Sequence, residues 1–182
     1  MSTFEFVFSL VGLVLGLSFV EILGGLVRAI KGGAVKRTNL LAIMLGFWVL
    51  LDVTSFWGMV WGVREDIDAA NSIWLILGAG ALITSVYYVA ASLVFPDQLD
   101  KEVDLKVHYW RRKRTVAALI WLCELAAMAT NLAFSDGWSV VIWLINGTLL
   151  FLAALLWWSR MEKVDAVVLC ALIANGVCVF VF

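Results

Sequence analysis

The sequence predicts an all-α membrane protein: a six-helix transmembrane bundle with a short cytoplasmic interfacial helix between helices 3 and 4. Three observations carry this. The chain is 64% hydrophobic and only 15% charged, with a mean hydropathy of +1.01, whereas a soluble domain is about half apolar and a quarter charged. Its apolar runs are continuous over about twenty residues, the length a helix needs to cross a bilayer core. Its 182 residues contain a single Pro, so long helices go uninterrupted. Strands of a membrane barrel would instead alternate polar and apolar residues over about ten positions.

Residues 4–27 form the first predicted span, with Gly12 and Gly16 spaced as G-x-x-x-G, a face on which helices approach closely. The opening residues carry no Lys or Arg, unlike a secretory signal, so this helix is expected to stay in the mature chain. Residues 40–63 follow with Asp52 near the centre. Residues 73–95 carry Thr84 and Ser85 at similar depth, and Pro96 ends them. Asp97 is then a plausible N-cap. Leu99, Val103, Val107 and Trp110 recur at helical spacing with charged residues filling most of the other face, which predicts an interfacial helix over 97–110. Spans over 116–134, 138–159 and 166–182 complete the bundle, with Glu124, Asn146 and Asn175 near their middles. The last is the shortest. Three helices on each side of the long connection fit an inverted repeat, although no residue pattern common to both halves supports one. The whole of 1–182 reads as one integral membrane domain, without room for a soluble one.

Charge alternates between connections. The first holds Arg28, Lys31, Lys36 and Arg37. The third holds Lys101, Lys106 and the run Arg111, Arg112, Lys113, Arg114. The fifth holds Arg160 and Lys163. The second has only Arg64 among Glu65, Asp66 and Asp68, and the fourth has no basic residue. Basic loops stay in the cytoplasm, so both termini are expected outside or in the periplasm of a plasma or inner membrane. Trp57, Trp61, Trp74 and Trp138 then mark the outer interface, and Trp110, Trp157 and Trp158 the inner one. Arg111, Arg112, Lys113 and Arg114 are the expected contacts for anionic lipid headgroups or a membrane partner, each worth about 1 kcal/mol near an anionic surface.

The functional signal is a polar layer at mid-depth: Asp52, Thr84, Ser85, Glu124, Asn146 and Asn175, with Glu21 about a turn and a half nearer the cytoplasm. A carboxyl at the bilayer centre costs several kcal/mol and persists with a partner or a task. No Lys or Arg lies at matching depth to neutralise Asp52 or Glu124. Their own helices offer hydrogen-bonding neighbours: Ser55 for Asp52, and Trp121 and Asn131 for Glu124. Lipid cannot solvate these groups, so they are expected to face one another or water. The pattern fits a small channel or transporter for protons, cations or a cation-coupled solute. It also fits a non-catalytic accessory or sensory subunit that binds a larger membrane partner. Homo-oligomerisation is expected on either reading.

Other classes find little support. The net charge of −1 gives no footing for nucleic acid. The three cysteines form no C-x-x-C, and the lone His108, placed to contact Asp104, cannot supply a metal or haem site, so no cofactor or metal is expected. No nucleophile–base pair or nucleotide fingerprint appears, so an enzyme is not expected.

Overall fold

The computed structural model describes residues 2–31, 40–69, 72–96, 104–134 and 140–179. Every regular element among them is a helix: α1 Thr3–Lys31, α2 Leu40–Gly62, α3 Arg64–Ala69, α4 Ile73–Val94, α5 Leu105–Phe134, α6 Val140–Trp158 and α7 Glu162–Val179. Of these, α1, α2 and α4 are long and apolar enough to cross a membrane. Lys36, Arg37, Lys101, Trp138 and the tail of the last expected span lie outside the described residues.

Local polar chemistry sets the helix ends. Ser2 and Glu5 form a reciprocal capping box: Glu5 N donates to Ser2 Oγ at 3.1 Å, and Ser2 N donates to Glu5 Oε2 at 2.9 Å. Phe4 N donates to Asp68 Oδ1 at 2.8 Å. The short α3 therefore folds back over the start of α1 and places a carboxylate where the exposed N–H groups and helix dipole favour one. At the far end, α4 stops at Phe95, whose extended backbone precedes Pro96.

Contacts between helices fix their directions. The rings of Phe4 and Phe8 pack against Trp61, and Phe8 also against Trp57, so α1 and α2 are antiparallel. His108 Nε2 lies 3.0 Å from the Leu93 carbonyl, which sets the start of α5 beside the end of α4. The Lys113 ammonium donates to the Ser159 carbonyl, which joins the start of α5 to the end of α6. The six long helices thus alternate in direction. Around the bundle, α1 neighbours α4, then α5, α6, α7 and α2, with α2 also reaching in against α4 and α5. While α1 and α4 pack closely, α5 and α7 do not, so the two halves are arranged differently and do not match as a repeat. Arg28, Lys31, Arg111, Arg112, Arg114, Arg160 and Lys163 collect at one end, here called the basic end. Trp57, Trp61 and Arg64 sit at the other.

Two sequence expectations change. Residues 97–103 lie outside the described residues, but 105–110 are not part of a separate interfacial helix: they are the first turns of α5, which continues without a break to Phe134. No Gly or Pro interrupts that stretch. In its first turns Leu105, Tyr109 and Lys113 are buried, while Val107 is exposed, so the face that anchors these turns is not the one the apolar spacing marked. His108 likewise turns its ring to Leu93, and only its backbone N–H donates to Asp104.

Close helix approach also occurs away from the G-x-x-x-G pair. Nothing lies within 4 Å of where a side chain at Gly16 would begin, and Gly12 makes only ordinary contact with Trp57. The tight fit is at Phe95, whose ring fills the space beside Gly25 of α1 and Gly46 of α2. A Cβ on Gly25 would fall 2.5 Å from Phe95 Cδ2 and 2.6 Å from Phe95 Cβ. The near end of that side chain cannot swing away, so overpacking costs about 1–3 kcal/mol. Gly25→Ala is therefore expected to lower the melting temperature in detergent, whereas Gly16→Ala, with nothing within 4 Å of the added Cβ, is not. An unchanged melting temperature for Gly25→Ala would remove Phe95 as the key of this interface.

Candidate functional site

The mid-bundle site is built by α2, α4 and α5. Asp52 projects from α2 and is only 2% exposed; Glu124 projects from α5 and is 6% exposed. Tyr87 of α4 is fully buried, and its hydroxyl donates to Asp52 Oδ2 at 2.9 Å. The Glu124 carboxyl lies within hydrogen-bonding reach of Asp52. Asp52 Oδ1 has no donor among the described residues, and two carboxylates, both acceptors, cannot supply one to each other. The contact becomes a hydrogen bond only when one of them carries a proton. Among the described residues, neither forms an ion pair. Phe56, one turn along α2, packs its ring 5.3 Å from that of Tyr87. Cys123 donates weakly to the Ile83 carbonyl at 3.8 Å.

The remaining residues of the expected polar layer do not all join this site. Thr84 is buried, but its hydroxyl donates to the Gly80 carbonyl at 2.8 Å, within its own helix. Ser85 is exposed on the outer face and bonds the Ala81 carbonyl. Ser55 bonds the backbone carbonyl of Asp52 rather than its carboxyl. Asn175 donates to the Ile145 carbonyl at 3.3 Å, tying α7 to α6, and half-buried Asn146 lies one residue beyond that carbonyl. Glu21 pairs with Arg28 at 3.3 Å toward the basic end. Trp121 is 41% exposed and turned outward, and the Asn131 side chain lies outside what the structure describes. The layer thus separates into an acidic cluster on α2, α4 and α5 and an amide link between α6 and α7.

Tyr87 was the member that sequence reasoning passed over. Its signal was its position three residues after Thr84 on the same face of an apolar helix. A phenol there needs an acceptor.

A second buried polar group sits at the basic end. Lys113 is 1% exposed and Asp165 0%; their side chains pair at 2.5 Å. The Lys113 ammonium also donates to the Ser159 carbonyl at 2.9 Å and lies 4.0 Å from the centre of the Trp110 ring. Tyr109 donates to the same Asp165 oxygen at 2.9 Å. Burial, and after it the Asp165 carboxylate, pushes the Tyr109 phenol above its ordinary range, so it remains a donor. One side chain of α5 thereby joins α6 and α7. The structure separates Lys113 from Arg111, Arg112 and Arg114: those three are exposed, while Lys113 points inward and is unavailable to headgroups. Nearby, Lys106 and Glu162 form a further ion pair between α5 and α7.

A cavity of about 350 Å³ occupies the Trp61 half of the bundle, between α1, α2, α4 and α5. Ile67 of α3 lines its outer end, and Phe56 and Ile83 line it on the side of the carboxyls. Its lining is apolar apart from Thr130, whose hydroxyl is already committed to the Ala126 carbonyl.

Neither protein-family models, nor curated proteins, nor solved structures show a match to this chain. The reading of its site rests on geometry.

The buried ion pair makes a direct prediction. Lys113→Met leaves Asp165 charged, buried and without its cation, which costs about 3–5 kcal/mol. Adding Asp165→Leu removes the stranded charge, and the double variant is expected to melt close to the unmodified protein. A double variant no more stable than Lys113→Met would mean that the contacts of Lys113 with Ser159 and Trp110, not its charge pairing, hold this end together.

Proposed function

We propose that α1, α2, α4, α5, α6 and α7 each cross a plasma or inner membrane, with the basic end in the cytoplasm and both termini outside, and that the chain moves protons or cations through the Asp52–Glu124 pair. The collection of the described Arg and Lys residues, Arg64 apart, at one end of the bundle supports this orientation. The alternating direction of the six long helices supports six crossings.

The observation that carries the functional reading is the meeting of two carboxyls with no base between them. Two unit charges about 4 Å apart repel by about 4 kcal/mol at an effective dielectric constant of 20. One ordinary hydrogen bond, worth about 1 kcal/mol net, does not offset that. The pair therefore holds one proton between two sites, and Tyr87 holds Asp52 in place. Such a pair releases its proton when a cation or a water path arrives, and takes one up when that path closes. A purely structural link between helices has no need of two acids, since Asn175 performs that task on α6 and α7 with an amide.

The decisive measurement is ion flux in liposomes. The unmodified protein is expected to pass protons or a monovalent cation above the rate of empty vesicles. Asp52→Asn and Glu124→Gln, each confirmed as folded by its melting curve, are expected to lower that flux at least tenfold. Background flux from the unmodified protein would sink the transport reading and favour an accessory subunit, for which copurification of a membrane partner is the next test.

A further inference from the structure

The apolar cavity and the carboxyl pair are neighbours. Phe56 lines the cavity and sits four residues along α2 from Asp52, about 6 Å by helical rise. Ile83 lines it and sits one turn before Tyr87 on α4. Away from the carboxyls, the lining continues along α2 through Val60 and on to Val63 just past its end, about 10 Å of apolar wall beyond Phe56. The volume lies within the range of small-molecule sites, which pair an apolar lining with a few placed polar groups. One turn along α2 from the lining residue Phe56 is an unsatisfied polar atom, Asp52 Oδ1, on a residue only 2% exposed. Among the described residues, no base competes for it.

We propose that this cavity binds a compact lipophilic amine in its protonated form, with the apolar body between α1, α2, α4 and α5 and the ammonium at the Asp52–Glu124 pair. The inference rests on the pair being ionisable, as argued above, and adds the class of ligand. Rotation of the Phe56 side chain joins cavity to carboxyls. When the ammonium arrives, the shared proton leaves: the pair goes from one negative charge to two, the ligand brings one positive charge, and the net charge of the site is unchanged. An anion is rejected by the carboxyls. A neutral molecule of the same shape gains the apolar contacts but displaces no proton.

The test uses two probes of one shape, 1-aminoadamantane and 1-adamantanol, titrated calorimetrically into the full-length protein in lipid nanodiscs with empty discs subtracted. The amine is expected to bind at least tenfold more tightly than the alcohol and to release about one proton in weakly buffered solution. Asp52→Asn is expected to abolish both the preference and the release; Glu124→Gln replaces it where Asp52→Asn does not fold. Ala79→Phe, which fills the cavity, is expected to weaken the amine at least tenfold. Equal binding of the two probes, binding of neither, or unchanged amine affinity in Ala79→Phe would each overturn the proposal. Proton flux without amine binding overturns this inference and leaves the transport reading standing. Amine binding with proton release but no flux does the reverse.

Discussion

Apolar surface cannot organise this molecule, because both its interior and its exterior are apolar. Leu13, Val20, Trp74, Leu82, Phe151 and Trp158 are all more than half exposed, an exterior that suits lipid as the solvent proposed for it. Moving such a side chain from lipid to protein gains little, so arrangement falls to close packing and to the few polar groups that must find partners. The polar contacts between elements map directly onto the topology. Tyr87 to Asp52 joins α4 to α2, and His108 to Leu93 joins α5 to α4. Lys113 joins α5 to α6 and α7, Asn175 joins α7 to α6, and Asp68 holds the start of α1. Phe95, keyed between Gly25 and Gly46, supplies the shape constraint where α1 and α2 offer no polar partner.

The two buried acidic sites obey different electrostatics. Asp165 is matched by Lys113 and held by Tyr109, so its charge has a permanent partner. The cost of burying the ions is offset by attraction and by hydrogen bonds to both. Asp52 is matched by another acid and a phenol, so no fixed charge state satisfies it. The first arrangement resists change, and the second, on the proposed reading, would share one proton between two positions. Their placement separates these roles. The ion pair lies where α5, α6 and α7 converge at the basic end, and the carboxyl pair lies where α2, α4 and α5 meet in the middle.

Much of this was legible in the sequence, and the remainder was hidden for physical reasons. Helix positions followed from run length and from Pro96, and the end-to-end charge alternation followed from loop composition. Asp52 and Glu124 stood out because a mid-span acid has few alternatives. Their adjacency was not legible, since helical rotation within an all-apolar segment leaves no moment from which to read the inward face. The same ambiguity made Ser85 and Thr84 look equivalent, although one faces out and the other in. Lys113 was concealed in the run from Arg111 to Arg114. A cluster of cations reads as solvated, and only the buried positions of Tyr109 and Leu105, one and two turns earlier, distinguish it. The expected break before the fourth span failed because charge was read as a boundary, whereas Arg and Lys are good helix formers and α5 carries them without interruption.

The asymmetry of the bundle about the carboxyl pair bears on how a site of this kind operates. Toward the Trp61 end lies the apolar cavity, with Ile67 and the exposed Leu75 in its lining. Toward the basic end, Val116, Ala117 and Ile120 on the same buried face of α5 are packed without exposure, and beyond them stands the Lys113–Asp165 pair. On the proposed reading, a proton or cation reaching Asp52 from the Trp61 half would meet Phe56, and one leaving toward the basic end would have to part the packed face of α5, which the Lys113 contacts tie to α6 and α7. In a transport cycle of the kind proposed, this arrangement would be the member open toward the Trp61 end. The resistance to inward opening resides in α5, the helix that carries both Glu124 and Lys113.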